Sequence, residues 1–151
     1  MGTEMDAILK EFGTSLGFDG LEFDEYGYCC LFFDDIVVNI EVNEKSEQLF
    51  LYANIGDIPA DADKAFYETL LEANFLFRGT SGGAIGMDKS AGIISLAWQG
   101  PYKDMTCVRF EKIIENFVNL TEHWRSVVAE ARPEVPSDAQ SGGMFPEGIR
   151  A

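Results

Sequence analysis

The 151-residue chain carries 26 Asp and Glu against 11 Lys and Arg, a formal net charge of -15, and 46% of it is hydrophobic. That length and apolar content predict one domain able to bury a core, while the charge repels phosphate and argues against nucleic acid or an anionic membrane as the main partner. No apolar run approaches the roughly 18–20 residues that span a bilayer.

The opening Met1–Asp6 lacks the basic and apolar regions of a secretory signal. Asp6 also stands where a myristoylation motif starting at Gly2 needs Ser or Thr. The first predicted element is a helix over Glu4–Leu16, with Met5, Ile8, Leu9, Phe12 and Leu16 at helical spacing. Thr3 is its expected N-cap, Gly13 weakens its middle and Gly17 stops it.

Three strands are expected next: Tyr28–Phe33, Val37–Val42 and Gln48–Ile55. The acidic Asp34-Asp35 turn and the polar stretch Asn43–Glu47 join them, which implies an antiparallel meander. Leu21–Asp24 reads as a short edge strand before them. A second helix is expected over Ala62–Phe77, with Asp61 and Asp63 favouring its start. Its apolar face, with Phe66, Tyr67, Leu70, Leu71, Asn74, Phe75 and Phe77, is broader than one sheet contact requires.

The glycines of Gly79–Gly83 end that helix. Ala84–Met87 and Gly92–Trp98 then read as a hairpin around Asp88–Ala91, with a break at Gly100-Pro101. Thr106–Ala131 holds the helical period through Phe110, Ile114, Phe117, Trp124 and their neighbours, until Pro133 and Pro136 forbid continuation. From Arg132 to Ala151 the composition turns to Pro, Ser, Gly and Gln and predicts a disordered tail beyond the domain of residues 1–131. The order α-β-β-β-α-β-β-α predicts an α+β domain, with helices packed on one mostly antiparallel twisted sheet.

Catalytic and metal-binding signals are sparse. Cys29, Cys30 and Cys107 make neither a metal pattern nor an even disulfide set, so they read as buried thiols of a reducing cytosol. His123 has no recognisable nucleophile signature to serve. Gly79–Gly86 lacks the Gly-Lys-Ser/Thr ending of a phosphate loop. The acidic runs Asp24-Glu25, Asp34-Asp35 and Asp61 with Asp63 lack the alternating ligands and closing Glu of a calcium loop. Paired carboxylates assembled in space stay open as a possibility. The sequon Asn119-Leu-Thr121 falls within the last helix. The expectation is therefore a non-enzyme without metal or cofactor.

Apolar surplus is the remaining signal. Phe12, Leu31, Phe32, Phe33, Val38, Phe50 and Tyr52 exceed what a thin layer needs, and exposed apolar patches on a charged protein mark protein-binding surfaces.

Ile8-Leu-Lys-Glu-Phe12 followed by Leu16-Gly17, then Leu21-Glu-Phe-Asp24 leading to Cys30-Leu-Phe-Phe-Asp34, carry a familiar pattern. Leu70-Leu-Glu-Ala-Asn-Phe75, Gly83-Ala-Ile-Gly-Met-Asp88 and Ile94-Ser-Leu96 continue it. In order and spacing the chain from Met5 to Val128 resembles the class I type III secretion chaperones, the Tir-chaperone (CesT-like) family. The resemblance implies a homodimer in the bacterial cytosol. It implies an ATP-independent chaperone that holds the N-terminal region of a secreted effector in extended, secretion-competent form. It puts effector binding on Phe12, Leu16, Leu31, Phe33, Val38 and Ile40, and the dimer interface on Phe66, Leu70, Leu71, Asn74 and Ile85. An effector strand pairing with a sheet edge is the matching physical mode. Two other readings stand beside it: a regulatory relative that sequesters a transcriptional anti-activator, and a small hydrolytic or ligand-binding α+β domain with a closed polar pocket.

Overall fold

A computed structural model of the chain describes residues 4–131. The Thr3 cap and the tail from Arg132, expected to be disordered, lie outside the described residues. The elements are α1 (Glu4–Ser15), β1 (Tyr28–Phe33), β2 (Ile36–Asn43), β3 (Gln48–Asp57), α2 (Lys64–Asn74), β4 (Ala84–Asp88), β5 (Ile93–Pro101) and α3 (Cys107–Glu130). This is the expected α+β order.

Every strand pairing is antiparallel, and the sheet order is β1-β2-β3-β5-β4. Strict alternation decides which face each residue takes. Ile36, Val38, Ile40 and Val42 of β2 lie on the buried face with Leu49, Leu51, Ala53 and Ile55 of β3. Helix α3 crosses that face over β3 and β2, α1 packs on α3, and α2 lies against β4. Two side-chain caps start the later helices: Asp63 Oδ1 accepts from Phe66 N at 2.9 Å, and Thr106 Oγ1 accepts from Arg109 N at 3.1 Å.

Three expectations are corrected. Leu21–Asp24 is not a strand. Phe23 is buried there, while the Asp24 carboxylate accepts from Tyr26 N at 2.8 Å and Tyr28 N at 3.0 Å, so the side chain competes for the hydrogen bonds a ladder would use. The Gly100-Pro101 break is likewise absent: Gly100 pairs with Leu49 and Pro101 with Gln48. The indole of Trp98 lies over Gly100, where a Cβ would sit 2.6 Å from Cη2, so the glycine makes room for the ring. The third correction is α2, which stops at Asn74, short of the expected Phe77.

Beyond Asn74 the chain makes a 3-10 turn, Phe75–Phe77, in which Leu76 and Phe77 take left-handed φ values of 53° and 58°. Left-handed backbone is costly for branched and aromatic residues. Here it reverses the chain tightly enough for Gly79 N to donate to Ala73 O at 2.9 Å and for Trp124 Nε1 to donate to Gly79 O at 2.8 Å. A Cβ on Gly79 would lie 3.0 Å from both Cα and Cβ of Ala73, a tight approach that glycine avoids.

Candidate functional site

The groove begins with the spacing of α1. Phe12 is 3% exposed and meets Phe110 of α3 edge to face, with ring centroids 5.1 Å apart. Leu16, one turn further on, overruns the end of the helix and is 44% exposed. Phe33 at the end of β1 shares the inward parity of Cys29 and Leu31 but is only half-buried. Together with Ile114 and Val118 of α3, these three line an open groove of about 440 Å³. Glu111 and Glu115 stand among its lining residues. The Ser15 hydroxyl lies 3.3 Å from Glu111 Oε1 and ties α1 to α3 beside it. The arrangement offers apolar surface framed by carboxylates, suited to apolar side chains whose flanks are neutral or basic.

The structure therefore divides the six predicted effector-binding residues. Phe12, Leu16 and Phe33 converge on one groove. Leu31, Val38 and Ile40 are in the hydrophobic core, with Val38 and Ile40 at 0% exposure, and they reach no partner in this conformation. The reason is strand parity: on β2 the residues at 36, 38, 40 and 42 all face α3. Of the other residues read as apolar surplus, Phe50 and Tyr52 are half-buried on the opposite sheet face and Phe32 is exposed there. That face carries a polar chain the sequence did not announce. Tyr28 Oη donates to Asn39 Oδ1 at 2.7 Å, Asn39 Nδ2 donates to Tyr52 O at 3.1 Å, and Tyr52 Oη donates to Glu41. Burial, followed by the Glu41 carboxylate, pushes the Tyr52 phenol well above its ordinary range, so it stays a donor.

The five predicted interface residues divide as well. Phe66, Leu70 and Ile85 are buried within the chain. Asn74 is occupied: its Nδ2 donates to Ile85 O at 2.9 Å and its Oδ1 accepts from Ile85 N at 2.8 Å. It thereby covers the outer edge of β4 at that residue. Only Leu71 is strongly exposed, at 69%. Phe75 and Phe77, which belong to the broad apolar face read from the sequence, are exposed as well, as are Leu76 and, on β4, Met87. The left-handed turn displays the aromatics, and no periodicity reports such a turn. The clue available in the sequence was the run Phe75-Leu-Phe77 directly before the glycines.

No group of three or more His, Cys, Asp or Glu among the described residues is placed to hold a metal ion. His123 is exposed and its ring meets Trp124 edge to face. Burial pushes the Cys29 thiol up to about 11 and raises that of Cys107, which opposes the thiolate a nucleophile needs. Thr80, Trp98 and Phe117 line a further recess of only about 80 Å³. No helix among the described residues is long and apolar enough to cross a membrane.

The profile of the Tir chaperone protein (CesT) family matches residues 7–125. The chain belongs to that family. A Chlamydia pneumoniae protein, CPj0713/CpB0740, is 28% identical over 125 residues, covering 81% of this chain and 94% of that protein. Among solved structures, a chain of the ExsC–ExsE complex superposes with a TM-score of 0.71 at 24% identity, covering 83% of this chain and 93% of that one. A chain of the HopA1–SchA chaperone–effector complex gives 0.68 at 19%, covering 81% and 93%. The complex of the Yersinia pestis type III secretion chaperone SycH with a fragment of YscM2 gives 0.61 at 21%, covering 79% and 98%. These likenesses establish that the fold is the one such chaperones use.

Proposed function

We propose that this Tir-chaperone family member is a non-enzymatic, ATP-independent type III secretion chaperone of the bacterial cytoplasm. It holds the N-terminal region of a secreted effector in extended form, with apolar effector side chains in the groove between α1, α3 and the end of β1. The observation that carries the reading is the open groove at Phe12, Leu16 and Phe33 in a chain of this family. The HopA1–SchA complex supports it as a chaperone–effector pair on the same fold. The sheet order leaves β1 as an edge strand beside Phe33, where an extended segment can add main-chain hydrogen bonds. The acidic lining residues favour a neutral or basic segment.

In the same reading the protein is a homodimer. Leu71, Phe75, Leu76 and Phe77, between 58% and 69% exposed, form its contact surface. Burying them removes the apolar exposure that would otherwise favour aggregation. Phe66, Leu70, Asn74 and Ile85 act from beneath by holding α2 against β4. Deleting the gene in the host tests the role: loss of one effector from the secreted fraction is the expected result. A broad change in transcription of secretion genes, with every effector still secreted, would instead favour sequestration of an anti-activator.

A further inference from the structure

The groove continues into a second depression. Asn119 lines both the groove and a furrow of about 570 Å³ that runs past Glu122 and Arg125 to Ala129, in the last turn of α3. The furrow thus leads from the site of the proposed function toward Ala131, the last described residue, which residues 132–151 follow in the sequence. Those residues lie beyond the family match at 7–125. Their sequence is polar as far as Gly143 apart from Val135 and its neighbouring prolines, and then reads Met144-Phe-Pro-Glu-Gly-Ile-Arg150. Two large apolar side chains are therefore followed closely by Ile149 and a cation.

The lengths agree. From Glu130 back to Val118 is twelve helical residues, a rise of about 18 Å. From Glu130 on to Met144 is fourteen residues, which span at most about 46–50 Å and so can cover that distance. A tethered segment that can reach its site competes at an effective concentration set by its tether, in the millimolar range for short linkers. The chemistry agrees too: Met144 and Phe145 suit the apolar floor at Phe12 and Ile114, Arg150 suits the carboxylates of Glu111 and Glu115, and Glu147 leaves the segment net neutral, within the neutral or basic range the groove favours.

We propose that the Met144–Arg150 segment of this chain docks in its own α1–α3 groove and acts as a built-in competitor that an effector must displace. The inference rests on the reading of the groove as an effector site. At millimolar effective concentration, a segment with an intrinsic dissociation constant of about 0.1 mM would weaken an incoming ligand about tenfold.

The test compares full-length wild type with full-length Met144→Ala/Phe145→Ala, each titrated with a fluorescein-labelled synthetic peptide of residues 140–151. The double variant should bind the peptide about tenfold more tightly than wild type, and adding Leu16→Glu, at an exposed groove position, should abolish that binding. Equal affinities in the two proteins, or no binding by either, would overturn the proposal and leave the groove to a separate partner. Binding that survives Leu16→Glu would overturn it as well, by placing the segment elsewhere. Capture of the effector by the same three proteins separates the two ideas. Effector lost with Leu16→Glu alongside equal peptide affinities leaves the chaperone reading standing without the competitor. Effector indifferent to Leu16→Glu while the peptide responds as expected removes the effector site and keeps the docked segment.

Discussion

Two apolar regions of this molecule have similar composition and opposite shape. The groove at Phe12, Leu16 and Phe33 is concave, floored by side chains that also belong to the core, and lined in part by carboxylates. The ridge at Leu71 and Phe75–Phe77 projects from a left-handed turn, and its aromatics are 58% exposed. A concave apolar surface receives side chains from a flexible partner. In the proposed dimer the second surface is covered by the same surface of a second copy related by a twofold axis.

The sharpest way to break the comparison is to attack what the regions share. Ile40 is fully buried beneath the sheet, so Ile40→Ala should cost about 2–5 kcal/mol in urea unfolding. It should weaken effector capture and dimerisation together through loss of fold. A selective loss of effector binding with unchanged stability would return Ile40 to the binding surface from which its burial removes it.

A smaller and more selective effect is expected at the ridge. Leu71→Glu/Phe77→Glu places charge on exposed positions and should leave unfolding nearly unchanged, since surface changes away from packed features usually stay within about 0.5 kcal/mol. By light scattering the mass should fall from about twice 16.7 kDa to 16.7 kDa. A wild-type protein that already sizes as a monomer would contradict the interface.

The smallest effect lies at the rim of the fold. Arg125 Nη2 stands 2.8 Å from Asp35 Oδ2, and the guanidinium holds the Asp35 carboxyl below the usual carboxylate range. A lowered folded-state value means the pair stabilises the fold above the unfolded aspartate value of about 3.9 and loses that effect as pH falls through the folded value. Arg125→Ala should therefore lower Tm slightly at pH 7, with the difference from wild type closing in strong acid and shrinking in high salt. A difference that persists unchanged in strong acid would mean that the side chain acts through packing.

The sequence made the element order legible because helical and strand periods were clean. Met5, Leu9 and Phe12 mark α1, and the alternation of β2 puts Val38, Ile40 and Val42 on one face, where the structure has them. The same alternation contained the correction to the site. Residues 38 and 40 share parity with residues 36 and 42, and a strand crossed by a helix buries one parity entirely. Which parity faces the helix depends on tertiary packing, so apolar character alone could not divide Phe33 from Val38. The exposed end of the α2 region was illegible for a related reason. Periodicity extended α2 to Phe77, but the backbone reverses after Asn74 and turns Phe75–Phe77 outward. Asn74 looked like an interface residue and proved to be a clamp on both backbone groups of Ile85.

The central claim, that the α1–α3 groove holds an extended effector segment, is tested most directly by co-purification from the secreting host. Wild type and Leu16→Glu/Phe33→Glu would be compared, with limited proteolysis and mass spectrometry of whatever remains bound. The account predicts that wild type protects an N-terminal segment of one or a few secreted proteins, and that the double variant, folded and of unchanged mass by light scattering, protects none. Protection of the same segment by both proteins, or no secreted protein held by wild type, would contradict it.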